Sequence, residues 1–174
     1  MRRLAVLTAV LLLAAGCARA TDPPAAAPAV TVSATPSRAA APLGDYDTGH
    51  DPAADIEAAL ATARADRRNV LIDFGADWCP DCRVLAKLGT SSQVAPVLDK
   101  DYHVVSVDIG QFDKHLDVAR RYHLDLGHSG IPALVVLDPR GTVREVTNDG
   151  SFANARTMSA AQVAGFLTKW APVH

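Results

Sequence analysis

The sequence predicts an α/β domain with a mixed central sheet and helices on both faces, preceded by an N-terminal disordered tether. Three observations carry that expectation. Short apolar runs of strand length alternate with stretches of helical periodicity. Two of the runs, Asn69 to Gly75 and Ala133 to Asp138, are apolar almost throughout, as strands covered on both faces are. The last two strand-like runs are joined by the turn Pro139-Arg140-Gly141. An early βαβ unit pairs its strands in parallel and a late hairpin pairs them antiparallel, so the sheet must be mixed.

Each element has its own warrant. Asp51-Pro52 joins a capping residue to a proline at the first helical position, and Ile56, Ala59, Leu60 and Ala63 recur at helical spacing, predicting a helix over 52–67. Asn69 to Gly75 is the expected central strand. A helix starts at Cys79 and runs to residue 88 with Val84, Leu85 and Leu88 on one side. Gly89 to Ser92 then leads into a second helical stretch over 93–99. His103 to Ile109 alternates as a strand, Leu116 to Tyr122 suits a short helix, and Ala133 to Asp138 is a buried-type strand. Val143 to Thr147 pairs back as a hairpin. Ser159 and Gln162 form a capping box opening a last helix with Val163, Phe166, Leu167 and Trp170. Asn148 to Arg156 is a polar loop to which the sequence assigns no role.

The first forty-four residues have a different character. Arg2 and Arg3 precede the apolar run Leu4 to Ala15, the pattern of a signal peptide over 1–16. As a helix that run would be about 18 Å long, well short of a ~30 Å hydrocarbon core. It ends Leu13-Ala14-Ala15-Gly16-Cys17, which resembles the lipobox of bacterial lipoproteins, although Ala14 stands where Leu is usual. That resemblance implies lipidation of Cys17 and a protein anchored to a membrane outside the cytoplasm. Residues 17–44 are rich in Ala, Pro, Thr and Ser and cannot bury enough surface to offset their ordering entropy, so they read as a tether of roughly 30 Å. The folded domain is expected over 45–174.

Seventeen Lys and Arg against nineteen Asp and Glu leave a formal charge of −2, and nucleic acid is not an expected partner. Three cysteines are too few for a disulfide scaffold, and only Cys79 and Cys82 are close enough to share a task. At a strand-to-helix junction their spacing puts both sulfurs on one face within disulfide reach. Cys79, nearer the helix N-terminus, faces unpaired N–H groups that favour a thiolate. Cys82, a turn deeper, stays protonated. That asymmetry suits a two-step exchange in which Cys79 attacks a substrate disulfide and Cys82 resolves the mixed disulfide, the pair becoming a Cys79–Cys82 disulfide.

The segment Asp73-Phe74-Gly75-Ala76-Asp77-Trp78-Cys79-Pro80-Asp81-Cys82 resembles the active-site segment of the thioredoxin superfamily, and Gly130-Ile131-Pro132 opening a strand resembles its cis-proline loop. The resemblance spans roughly residues 52–170 and implies a thioredoxin-like fold. It makes Cys79 the nucleophile, Cys82 the resolving thiol and Asp73 the buried carboxylate that helps deprotonate Cys82. Trp78 would shield the site, and Ile131 with cis Pro132 would offer backbone groups to an extended substrate. The sequence departs from thioredoxin in three places: Pro80-Asp81 replaces Gly-Pro between the cysteines, Gly75 stands where Trp is usual, and Arg83 replaces a common Lys. Asp77 and Asp81 add negative charge beside Cys79 and no His lies between the cysteines, which leans towards a reducing couple.

The expected function is therefore an extracytoplasmic, membrane-anchored thiol:disulfide oxidoreductase, a reductase of protein or small-molecule disulfides that needs no cofactor. A monomer is expected, recharged by a membrane thiol-electron transporter if it is a reductase. The alternative is a copper-binding protein using Cys79, Cys82 and His128, since thiolates with an imidazole suit that metal. A zinc site would need two further ligands, and the histidines show no ligand spacing of their own.

Overall fold

The computed structural model describes residues 42–173 with the exception of Thr48. The expected signal peptide, Cys17 and most of the expected tether lie outside the described residues.

Helix α1 (Pro52–Asp66) begins as its sequence directs. The Asp51 side chain accepts hydrogen bonds from the N–H groups of Ala53 and Ala54, with Pro52 at the first helical position. Ile56, Leu60 and Ala63 form its buried stripe. It ends at Arg67, which turns the chain with a left-handed φ of 65°. Strand β1 (Asn69–Gly75) is buried at every residue, and helices α2 (Pro80–Gly89) and α3 (Ala95–Asp101) connect it to β2 (Tyr102–Asp108). After α4 (Leu116–Arg121) and the single turn α5 (Leu126–Ser129) come β3 (Ala133–Leu137), β4 (Val143–Val146), a 3-10 turn (Ala155–Thr157) and α6 (Ala160–Lys169). The reciprocal capping box of Ser159 and Gln162 opens α6.

The sheet order is β2-β1-β3-β4, with β1 parallel to β2 and antiparallel to β3, and β3 antiparallel to β4. The expected mixed sheet with a central β1 is therefore what forms. Alternation along β1 sends Val70, Ile72 and Phe74 to a core shared with Ile56 and Leu60 of α1 and Val118 of α4. It sends Leu71 to a second core with Leu85 of α2, Leu98 of α3 and Val163 and Leu167 of α6. Helices thus cover both faces. Asp73 has the parity of Leu71 and points into the face beneath α2, which places a carboxyl under the cysteine helix.

Two short elements, α5 and the 3-10 turn, were not expected, because four and three residues are too few to show a helical period. The polar loop before the 3-10 turn carries Phe152, which is fully buried and meets Phe166 edge-on at 4.8 Å between ring centroids. The expected boundary at residue 45 also needs correction. Leu43 is buried against α2, where Gly89 leaves room for it, and the Gly44 N–H bonds the Asp73 carboxylate. The folded part includes both residues because one large apolar side chain after the Ala/Pro run is enough to dock the chain.

Candidate active site

The site is assembled where β1 ends and α2 begins. The Cys79 N–H bonds the Ala76 carbonyl at 3.0 Å, closing a turn that sets Cys79 as the N-cap of α2, with Pro80 at the first helical position. There its Sγ does what a capping oxygen does elsewhere: it accepts the Cys82 N–H at 3.2 Å. A sulfur so placed faces an oriented N–H group at the positive end of the helix dipole. Both cysteines are free thiols, and both are buried, Cys79 at 3% exposure and Cys82 at 0%.

The cis-proline loop arrives from the other side. The Ile131–Pro132 peptide is cis, and Cys79 Sγ lies 3.7 Å from the Ile131 carbonyl oxygen, to which its S–H donates. Sequence-distant Ile131 and Pro132 are thereby brought to the nucleophilic position. Trp78 is 44% exposed and fixed by its Nε1–H, which donates to the Gly110 carbonyl at 2.7 Å. Its ring is tilted against Phe112, itself exposed, at 6.2 Å between centroids.

Asp73 lies beneath the pair and is fully buried. Its Oδ2 accepts from the Gly44 N–H at 3.0 Å, the Tyr46 hydroxyl at 3.0 Å and the Ser106 hydroxyl at 3.5 Å, while Oδ1 has no partner among the described residues. Burial pushes the carboxyl up to about 6, with Tyr46, Gly44 and Ser106 holding it from rising further. Burial likewise pushes the Cys82 thiol up, helped by its hydrogen bond to Cys79 and the nearby Asp73 charge. Cys82 is the member of the pair that needs a base.

Three residues of the site escape sequence reasoning. Tyr46 reaches in from the segment before α1, and a Cβ on Gly75 would run into its ring and hydroxyl and lie 2.9 Å from Cys82 Sγ. Gly75 is thus where the strand makes way for Tyr46. The missing bulk at a position where thioredoxin carries Trp was the signal that something else must fill the space. Arg156 is the second. Asp81 is buried, its Oδ1 accepting the Arg156 N–H at 2.9 Å and its Oδ2 meeting the Arg156 guanidinium at 3.1 Å. Asp81, expected to add negative charge beside Cys79, is thus paired and buried, and of the two carboxylates only Asp77 stands exposed. This pair also gives the polar loop before the 3-10 turn a place: it leads to the cation beside the site. Phe112, with its left-handed φ of 64°, is the third.

His128 is exposed on α5. Among the described residues no three or more His, Cys, Asp or Glu side chains are grouped to hold a metal ion, so Cys79, Cys82 and His128 do not come together as the copper alternative requires.

A family model described as thioredoxin-like matches residues 51–139. The crystal structure of a disulphide isomerase from Xylella fastidiosa Temecula1 is similar, with a TM-score of 0.68 at 37% identity, covering 72% of this chain and 95% of that one. A protein disulfide-isomerase of Schizosaccharomyces pombe is 33% identical over 81 residues, 47% of this chain and 21% of that protein. The thiol:disulfide interchange protein DsbD of Pseudomonas fluorescens is 26% identical over 137 residues, 74% of this chain and 21% of that protein. The chain thus spans about a fifth of the length of the curated relatives it matches. With the family model, the close structural relative, the mixed sheet and the cysteine pair at the head of α2 in agreement, this chain belongs to the thioredoxin-like family.

Proposed function

We propose that the chain is a thiol:disulfide oxidoreductase, working as a reductase of protein or small-molecule disulfides. One observation carries the proposal: two free thiols sit at the start of α2, the outer sulfur held by an N–H group and facing the cis-proline loop, the inner one buried above a carboxyl. In the reducing direction Cys79 thiolate attacks one sulfur of the substrate disulfide, forming a mixed disulfide and releasing the other substrate sulfur as a thiolate. Cys82 then loses its proton and attacks Cys79 Sγ. The Cys79–Cys82 bond forms, the bond to substrate breaks, and two electrons have passed to the substrate. Trp78, Ile131 and Pro132 flank the attacking sulfur, where an extended substrate would lie.

The absence of a His between the cysteines and the exposed Asp77 beside them favour a reducing couple. The apolar run and Leu13-Ala14-Ala15-Gly16-Cys17 support a lipid anchor on Cys17 and work outside the cytoplasm, where a membrane thiol-electron transporter would recharge the dithiol. No helix among the described residues is long and apolar enough to cross a membrane, so on this reading the lipid holds the protein in place.

The test is the reduction potential of the Cys79/Cys82 couple, equilibrated against defined thiol/disulfide buffers. A value near the roughly −270 mV of thioredoxin supports a reductase, whereas one near the roughly −120 mV of a strong oxidant reverses the direction of flow. Lipidation is tested apart from this, by incorporation of labelled fatty acid that disappears in Cys17→Ser.

A further inference from the structure

Cys82 feels the Asp73 charge but shares a hydrogen bond with the Tyr46 hydroxyl. Asp73 Oδ2 is occupied by Gly44, Tyr46 and Ser106. The Tyr46 hydroxyl crowds the same point above the Gly75 Cα as Cys82 Sγ does. Tyr46 is itself 5% exposed, so water has little access to this contact. A phenol is both donor and acceptor, and its one donated bond already runs to Asp73, leaving its lone pairs for the thiol.

We propose that Tyr46 relays the proton between Cys82 and Asp73 during resolution of the mixed disulfide, and that Gly75 serves to admit its hydroxyl. The inference rests on the dithiol exchange proposed above and deepens it. The Cys82 S–H proton passes to the Tyr46 oxygen as the Tyr46 proton passes to Asp73 Oδ2. The Cys82 electron pair forms the bond to Cys79 Sγ. The bond between Cys79 and substrate sulfur breaks, and the substrate leaves as a thiolate that takes its proton from solvent. Asp73 is left as a neutral carboxyl and returns its proton when the couple is reduced again. Burial suits both ends of this path: it lifts Asp73 to about 6, ionised at neutral pH yet able to take a proton, and it keeps Cys82 protonated until one is removed. Ser106 meets the same oxygen at 3.5 Å but is not among the groups that act on Cys82, so it serves only to hold Asp73.

The full chain, reduced, is mixed with excess of the disulfide dimer of thionitrobenzoate, and the coloured thiol is followed by stopped flow. Attack by Cys79 releases the first equivalent and resolution by Cys82 the second. Tyr46→Phe is expected to leave the first phase unchanged and slow the second by about a hundredfold, the lower end of what positioned proton transfer contributes. Asp73→Asn should slow the second phase comparably, and the double variant no further, because the two act as one path. In the unsubstituted chain a solvent deuterium isotope effect should appear in the second phase only. An unaltered second phase in Tyr46→Phe overturns the relay, as does equal slowing in Ser106→Ala or, if Tyr46→Phe fails to fold, an isotope effect absent from the second phase. A missing first phase overturns instead the dithiol exchange on which the relay rests.

Discussion

An aspartate lies near each end of the parallel pair β1/β2, Asp66 at the close of α1 and Asp73 within β1, and the two carboxyls are displaced from their ordinary value in opposite directions. At the start of the strands, Asp66 accepts from Arg68 Nε at 2.9 Å and lies 2.9 Å from His103 Nε2, while Arg68 Nη1 donates to the Asp99 carbonyl at 2.8 Å. Desolvation acts to raise Asp66, but the bonds from Arg68 and His103 together outweigh it and hold the carboxyl below its ordinary value. At the far end, Asp73 meets one backbone N–H and two hydroxyls but no cation, and burial wins. Asp66 keeps 39% of its side chain exposed, so desolvation costs it little and the Arg68 N–H with the His103 and Arg68 side chains outweighs that cost, whereas the three donors on fully buried Asp73 do not. One end of the sheet is therefore a clasp joining α1, α3 and the strands. The other is kept at odds with stability, beside the dithiol, with a proton equilibrium near neutrality.

The largest expected effect tests whether the chemistry belongs to one end only. Cys79→Ser should lower disulfide-reduction turnover by about a thousandfold or more, and Asp66→Asn should leave that rate unaltered. A large loss in Asp66→Asn would break the division of labour.

The second test concerns the sign of the two carboxyls. Asp73 is raised in the fold from 3.8 to about 6, so the folded state holds the extra proton in that window and stability falls as pH rises through it. Above about pH 6 the ionised carboxylate costs roughly 3 kcal/mol. Urea unfolding of reduced Asp73→Asn should lack this decline. A parallel pH profile in chain and variant would show that Asp73 is not the group responsible.

Next comes Gly75→Ala, in which the new Cβ meets the Tyr46 hydroxyl and Cys82. The overpacking should cost roughly 1–3 kcal/mol in thermal or urea unfolding. A neutral result would mean that Tyr46 is not held in the gap. The smallest effect is expected at the clasp. Asp66, depressed in the fold, contributes stability that is present above its unfolded value and lost as pH falls through its folded one. Asp66→Asn should cost less than about 1 kcal/mol at neutral pH, since the carboxylate is partly exposed and screened. The cost should shrink with salt and vanish in acid. Asp73→Asn and Asp66→Asn should therefore shift stability at neutral pH in opposite directions.

Local rules written into adjacent residues determined much of this molecule. Asp51-Pro52 and Ser159 with Gln162 start helices wherever they occur, because the caps satisfy N–H groups within one turn. The apolar run Asn69 to Gly75 requires cover on both faces, and it becomes the central strand. The spacing of Cys79 and Cys82 was likewise enough to set both sulfurs at one helix end.

Only the tertiary structure decided what surrounds them. Tyr46 lies 27 residues from Asp73, and Arg156 lies 75 from Asp81. No periodicity links positions so far apart, and each was brought to the site by packing: Leu43 docking beside Gly89, Phe152 burying the loop that leads to Arg156. The charge of Asp81 reads as bare in the sequence and is paired in the fold for the same reason. Local sequence specifies where a helix starts and which sulfur caps it. The electrostatic environment of a buried group depends on the neighbours that close over it, and those neighbours are chosen by the whole core.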